Sequence, residues 1–96
     1  MFIVTATYKG ELDEAERHLE AHSAYLDRYY ALGQIVFSGR KSRPTGSFIL
    51  FHGIQRFEVE QAIAEDPLHI NDLATYEIAE VTPAKYDTRF EPFIRE

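Results

Sequence analysis

Two stretches of this chain are apolar at consecutive positions: Phe48-Ile49-Leu50-Phe51 in the middle and Phe2-Ile3-Val4 near the start. Both are short, aromatic and β-branched, and both end in polar residues or glycine, which reads as strand. A strand with one wet face alternates apolar and polar side chains, whereas one that is apolar at every step has both faces covered. Any fold for this sequence must therefore cover both sides of its sheet where these strands lie.

Between and around them the remaining elements can be placed. The first strand runs Phe2 to Tyr8 and is broken by Lys9-Gly10. Asp13 followed by Glu16 has the form of a capping box, predicting a long helix to about Leu32 with Gly33 as its stop. Ile35-Val36-Phe37 opens a second strand ending near Ser38-Gly39, and Arg40 to Gly46 reads as a polar turn containing Pro44. The third strand stops at Gly53. Gln55 to about Glu65 is a second helix, with Val59, Ala62 and Ile63 at helical spacing. Pro67 disfavours helical geometry at Asp66, and Leu68 to Leu73 has room for one more helical turn. Thr75 to Thr82 is the last strand. From Pro83 onward a tail carries Tyr86, Phe90 and Phe93.

The order β-α-β-β-α-β makes two split β-α-β units. It predicts one α+β domain over residues 1–96, a ferredoxin-like sandwich with helices on one face of a four-stranded antiparallel sheet. Two helices cover only one face. The simplest cover for the other is the same face of a second copy, giving a two-fold homodimer of the dimeric α/β-barrel type, with the aromatic tail as a partial alternative. A chain of 96 residues gains from such added burial.

Composition removes several function classes. With 45% hydrophobic and 14% aromatic residues the chain is too apolar to stay disordered. It has no cysteine, so disulfides and zinc-thiolate sites are out. The opening apolar run is too short for a signal peptide or a membrane span, and the expected location is the cytoplasm. Ten Lys and Arg against sixteen Asp and Glu give a net charge of −6, which disfavours nucleic acid and anionic membranes as partners. RNA-recognition domains share this element order, but the third strand, Gly46 to Phe51, lacks their base-stacking pattern. A small anionic ligand stays open, because it responds to local groups.

The candidate chemistry sits on the helices. The first helix has an apolar stripe at Leu12, Ala15, Leu19, Leu26, Tyr29 and Tyr30. His22 projects inside that stripe and so faces the sheet, with His18 at its edge. In the second helix Asp66 lies seven residues past Val59, about two turns, and also points inward. The fold sets both helices side by side, so each contributes one ionisable group to the same layer. An inward carboxylate needs a partner, and the imidazole supplies one. Asp66 also suits the N-cap of the short segment after Pro67. His18 and His22 are four apart, but Leu19 stands where the zinc-protease pattern needs Glu and no third ligand is evident, so no metal is expected. His52 and His69 read as surface or loop residues, and Arg40, Lys41 and Arg43 as a solvated turn, with an anion-attracting rim as the lesser reading.

Taken together, MFIVTATY, AHSAYLDRYYALG, FSGR, AEDPLH and YEIAEVTPAKYD resemble the YCII-related family over nearly the whole chain, with A-H-x-x-Y-L and D-P the most specific segments. The resemblance implies a dimeric ferredoxin-like α/β fold and a site centred on a histidine and an aspartate, here His22 and Asp66, with Ser38 of the Ser-Gly pair beside them. It also implies small-molecule chemistry. Dehydrochlorination of a chlorinated hydroxyquinol is known in the family, and related dimeric barrels include lactone isomerases. Leu68-His69 follows the Asp-Pro where an aromatic residue is common.

A His-Asp pair suits proton transfer: the carboxylate fixes the imidazole tautomer and leaves the other ring nitrogen as a base. The expectation is an enzyme without cofactor acting on a small cyclic or aromatic molecule by elimination or isomerisation. In it His22 moves the proton, Asp66 orients His22 and Ser38 hydrogen-bonds a substrate oxygen. The competing reading is a non-catalytic ligand-binding or accessory subunit of the same fold.

Overall fold

The computed structural model describes residues 1–10 and 12–94. Its elements are β1 (Phe2–Tyr8), α1 (Leu12–Glu16), α2 (Leu19–Ala31), β2 (Ile35–Ser42), β3 (Thr45–Phe51), α3 (Arg56–Glu65), α4 (Pro67–Ile70), β4 (Ala74–Glu80) and a 3-10 turn over Thr88–Phe93. The strands form one sheet in the order β2-β3-β1-β4, every neighbouring pair antiparallel. β3 lies between β1 and β2, and β1 between β3 and β4, so two split β-α-β units interlock in the ferredoxin-like arrangement.

The sheet face under the helices carries the core. Phe2, Val4, Ile35, Ile49 and Phe51 pack there beneath Val59, Ala62 and Ile63 of α3. The opposite face presents Phe37 and Phe48, whose rings stack 5.1 Å apart, and Phe37 is 51% exposed. The tail reaches the body of its own chain, where Phe93 sets its ring edge-on to His52 at 5.4 Å. Tyr86 remains exposed.

Four expectations are revised. The long first helix is two: His18 bonds back to the Ala15 carbonyl in a tightened turn, and α2 begins after it. No glycine or proline marks this break. The helix also starts at Leu12, so Asp13 sits within its first turn and is not the cap; Glu11 and the Leu12 side chain, the latter assigned to the apolar stripe, lie outside the described residues. On α2 the buried ring is Tyr25, while Tyr30, placed in the stripe, is exposed.

The fourth revision concerns the turn expected from Arg40 to Gly46, most of which is strand. Arg40 pairs with Ser47, Lys41 with Gly46 and Ser42 with Thr45, leaving Arg43-Pro44 as the connection through a cis peptide bond. β2 is an edge strand, where polar residues are tolerated, so its composition resembled a loop. Gly46 is required here by close approach: a Cβ would run into the Ala6 carbonyl and the Lys41 side chain. Lys41 continues past it to donate to Thr7 Oγ1 at 2.6 Å.

Gly33 does end the helix. With φ of 73° it lets the amides of Gly33 and Gln34 close on the carbonyls of Tyr30 and Tyr29.

Candidate functional site

The C-terminal end of α3 is where the chain concentrates buried polar groups. Pro67 turns the backbone at Asp66 to an extended conformation, which ends α3 and makes Asp66 the N-cap of α4. Its carboxylate is 0% exposed and accepts three hydrogen bonds. Oδ1 takes the Leu68 amide at 3.0 Å and meets His22 Nδ1 at 2.8 Å. Oδ2 takes the Tyr76 hydroxyl of β4 at 2.7 Å. A fully buried carboxylate needs this degree of satisfaction.

His22 is 6% exposed, and its ring stacks on Tyr25 at 5.9 Å. With Nδ1 donating to the carboxylate, the neutral ring keeps its lone pair on Nε2. Two more bonds run along the same seam: Tyr25 donates to the Ala62 carbonyl at 2.6 Å, and Tyr29 donates to Glu65. One face of α2 is thus stitched to the end of α3.

The phenols respond to this setting. Burial, then the hydrogen bond to Asp66, pushes the Tyr76 hydroxyl well above the usual phenol range. Burial does the same to Tyr25, reinforced by the Asp66 charge. Tyr29 is pushed up to about 12 by burial and by Glu65. All three stay protonated at neutral pH and serve as donors.

In front of His22 lies a cavity of about 220 Å³ between α2 and the sheet. Leu19, His22 and Leu26 form its helix side; Tyr8, Ser38, Gly39, Arg40 and Ser47 form its sheet side. At roughly 30 Å³ per water this is about seven waters of space, enough for one small ring.

The structure therefore brings His22, Asp66 and Ser38 into one neighbourhood, in different positions. His22 and Ser38 line the cavity, whereas Asp66 stands behind the imidazole, away from any ligand. The Ser38 hydroxyl shares a 2.7 Å hydrogen bond with Tyr30. Tyr76 was not foreseen; its signal was a tyrosine in the last strand on the same face as Ala74 and Ile78. Arg40 and Ser47 do not emerge from the sequence as cavity residues, because the stretch from Arg40 to Gly46 reads as a turn, and Tyr8 at the end of the first strand carries no pattern that points to a cavity.

Among the described residues no three His, Cys, Asp or Glu side chains gather to hold a metal ion, and no helix is long and apolar enough to cross a membrane. His18 sits at the break before α2, His69 is exposed on α4, and His52 is the histidine packed against the tail.

The sequence model of the YCII-related domain matches residues 1–85. No curated protein matches the chain. A solved structure of 5-chloro-2-hydroxyhydroquinone dehydrochlorinase from Burkholderia phenoliruptrix AC1100, in complex with 2,5-dihydroxybenzoquinone, has a TM-score of 0.72. Identity is 22%, over 83% of this chain and 91% of that one. At that identity the likeness establishes the shared fold.

Proposed function

The chain belongs to the YCII-related family, and from that premise we propose that it is a small-molecule enzyme whose His22 transfers a proton at Nε2 while Asp66 orients the ring. The observation that carries this reading is the 2.8 Å contact between a buried imidazole and a buried carboxylate, with the imidazole lining a ligand-sized cavity. Asp66 holds the proton on Nδ1, which aims the Nε2 lone pair at the hollow. Tyr76 and the Leu68 amide hold Asp66 in turn. Ser38, at the cavity wall, hydrogen-bonds a substrate oxygen when Tyr30 is the donor in their shared bond.

Two reactions fit one base facing a small hollow. In an elimination Nε2 takes a proton from a ring position, the C–H electron pair becomes a double bond, and a leaving group such as chloride departs with its own pair. In an isomerisation the same proton returns at another carbon. The structural neighbour is a dehydrochlorinase, which supports the first.

Exchange of substrate protons with solvent deuterium reads the isomerisation, and chloride release from a chlorinated hydroxyquinol reads the elimination. Incubated in D2O with small lactones, phenols and chlorinated hydroxyquinols, the protein should label at least one or release chloride, and His22→Asn should lower that rate by about 10²- to 10⁴-fold while still melting cooperatively as a folded domain. Equal labelling by wild type and variant would remove His22 from the chemistry.

Asp66 also caps α4 and ties two helices to β4, which favours the second reading: a ligand-binding module in which the pair is architectural. Ligand binding with neither exchange nor chloride release would select it.

The working unit in this reading is a homodimer closed over the face bearing Phe37 and Phe48. The exposed Phe37 ring, stacked on the half-buried Phe48 beside the buried Leu50, supports an apolar interface on this face. Light scattering should give twice the chain mass at micromolar concentration, and Phe37→Glu should return it to one.

A further inference from the structure

The sheet side of the cavity has a chemical bias. Arg40 of β2 and Ser47 of β3 are direct register partners, and Ser47 pairs in turn with Ala6 of β1, two residues from Tyr8. Their side chains line the hollow opposite His22. Ser47 is only 6% exposed, yet its hydroxyl makes no side-chain hydrogen bond among the described residues. The same holds for the Tyr8 hydroxyl, and Arg40 has no ion-pair partner there although the chain carries sixteen acidic residues. The cavity-lining residues include no carboxylate; Asp66 is screened behind His22 and already takes three hydrogen bonds. Burial raises the Tyr8 phenol, so it remains a donor at neutral pH, with the Arg40 charge opposing that shift in part.

A guanidinium, a phenol and a buried hydroxyl on three adjacent strands form a wall of unengaged donors. We propose that Tyr8, Arg40 and Ser47 are an oxyanion-binding wall, and that the ligand is a single small ring bearing an ionised oxygen, whether carboxylate, phenolate or enolate. This rests on the proton-transfer reading and deepens it: the wall holds the oxygen where negative charge resides, across the ring from the position His22 attends. A planar guanidinium suits such an oxygen better than a point charge does.

The test uses benzoate and its neutral isostere benzamide, titrated into the full chain and followed by backbone amide resonances. Benzoate should shift the signals of His22, Gly39 and Ser47 and bind at least about tenfold more tightly than benzamide, since the wall's donors lose their charged partner in the amide. Arg40→Met should erase that preference while leaving benzamide affinity in place, and Arg40→Lys should restore part of it. Arg40 is exposed on an edge strand, so both variants are expected to fold; a melting curve checks each. Equal affinities in the wild type, no benzoate binding at millimolar concentration, or a preference that survives Arg40→Met would each overturn the wall. His22→Asn should keep the benzoate preference. If it does while the wild type shows neither solvent exchange nor chloride release, the proton-transfer reading falls and the wall stands.

Discussion

The two ends of the helix-covered sheet face are built from the same strands and hold opposite things. Where β1 begins and β3 ends, Phe2 lies opposite Phe51 and Val4 opposite Ile49, and the space beneath α3 is filled. One pair further along, Ala6 lies opposite Ser47, and there the cavity opens. The backbone register is continuous through all three pairs. What changes is side-chain volume: Ser47 faces the hollow where Ile49 and Phe51 fill the core on the same strand, while Ala6 packs into a second core cluster with Ala15, Leu68, Leu73 and Ala74. A close-packed interior does not leave such a space without a reason in the sequence.

The contrast can be broken by truncating a side chain at each end. Phe51→Ala, in the filled end, should lose about 3–5 kcal/mol because a fully buried ring leaves a cavity that relaxes only in part. Ser47→Ala, in the open end, removes a hydroxyl that faces the hollow and should cost no more than about 0.5 kcal/mol. Urea unfolding of both variants measures the difference. Comparable losses would mean that Ser47 is a packed core residue and that the open end is not open.

The same contrast separates what was legible in the sequence from what was not. Helical periodicity alone places His22 and Asp66 on inward faces, and the fold brings their side chains to 2.8 Å. Gly33 announces the helix stop, and the consecutive apolar runs announce β1 and β3 as strands. The donors around the pair were harder to see. Tyr76 reaches Asp66 only because β4 lies next to β1 on the sheet's far edge, a fact of sheet order that no local pattern encodes. Arg40 and Ser47 become neighbours through a hairpin whose polar edge strand has the composition of a loop. The helix break at His18 has no breaker residue to reveal it. Local periodicity thus recovers which way a side chain points, and topology decides whom it meets.

A smaller effect sharpens the comparison from the polar side. The seam between α2, α3 and β4 buries the hydroxyls of Tyr25 and Tyr76, whereas the filled end of the core has no ionisable group among its buried residues. Both phenols have folded pKa values raised above their ordinary value of 10.0, first by burial and then, for Tyr76, by its bond to Asp66. The unfolded chain therefore loses these protons near pH 10 while the folded chain retains them. The unfolded state binds fewer protons there, so stability falls as pH rises above about 10, and the contribution is fully present below that value. Each phenol retained by the fold adds a slope of up to about 1.4 kcal/mol per pH unit. Tyr76→Phe removes one of the two, so its unfolding free energy should decline less steeply than that of the wild type between pH 10 and 11.5, even if it starts lower at pH 7 through the lost hydrogen bond. Parallel declines would show that the Tyr76 hydroxyl ionises as readily in the folded protein as in the unfolded chain, and that the ring of donors around Asp66 is open to solvent.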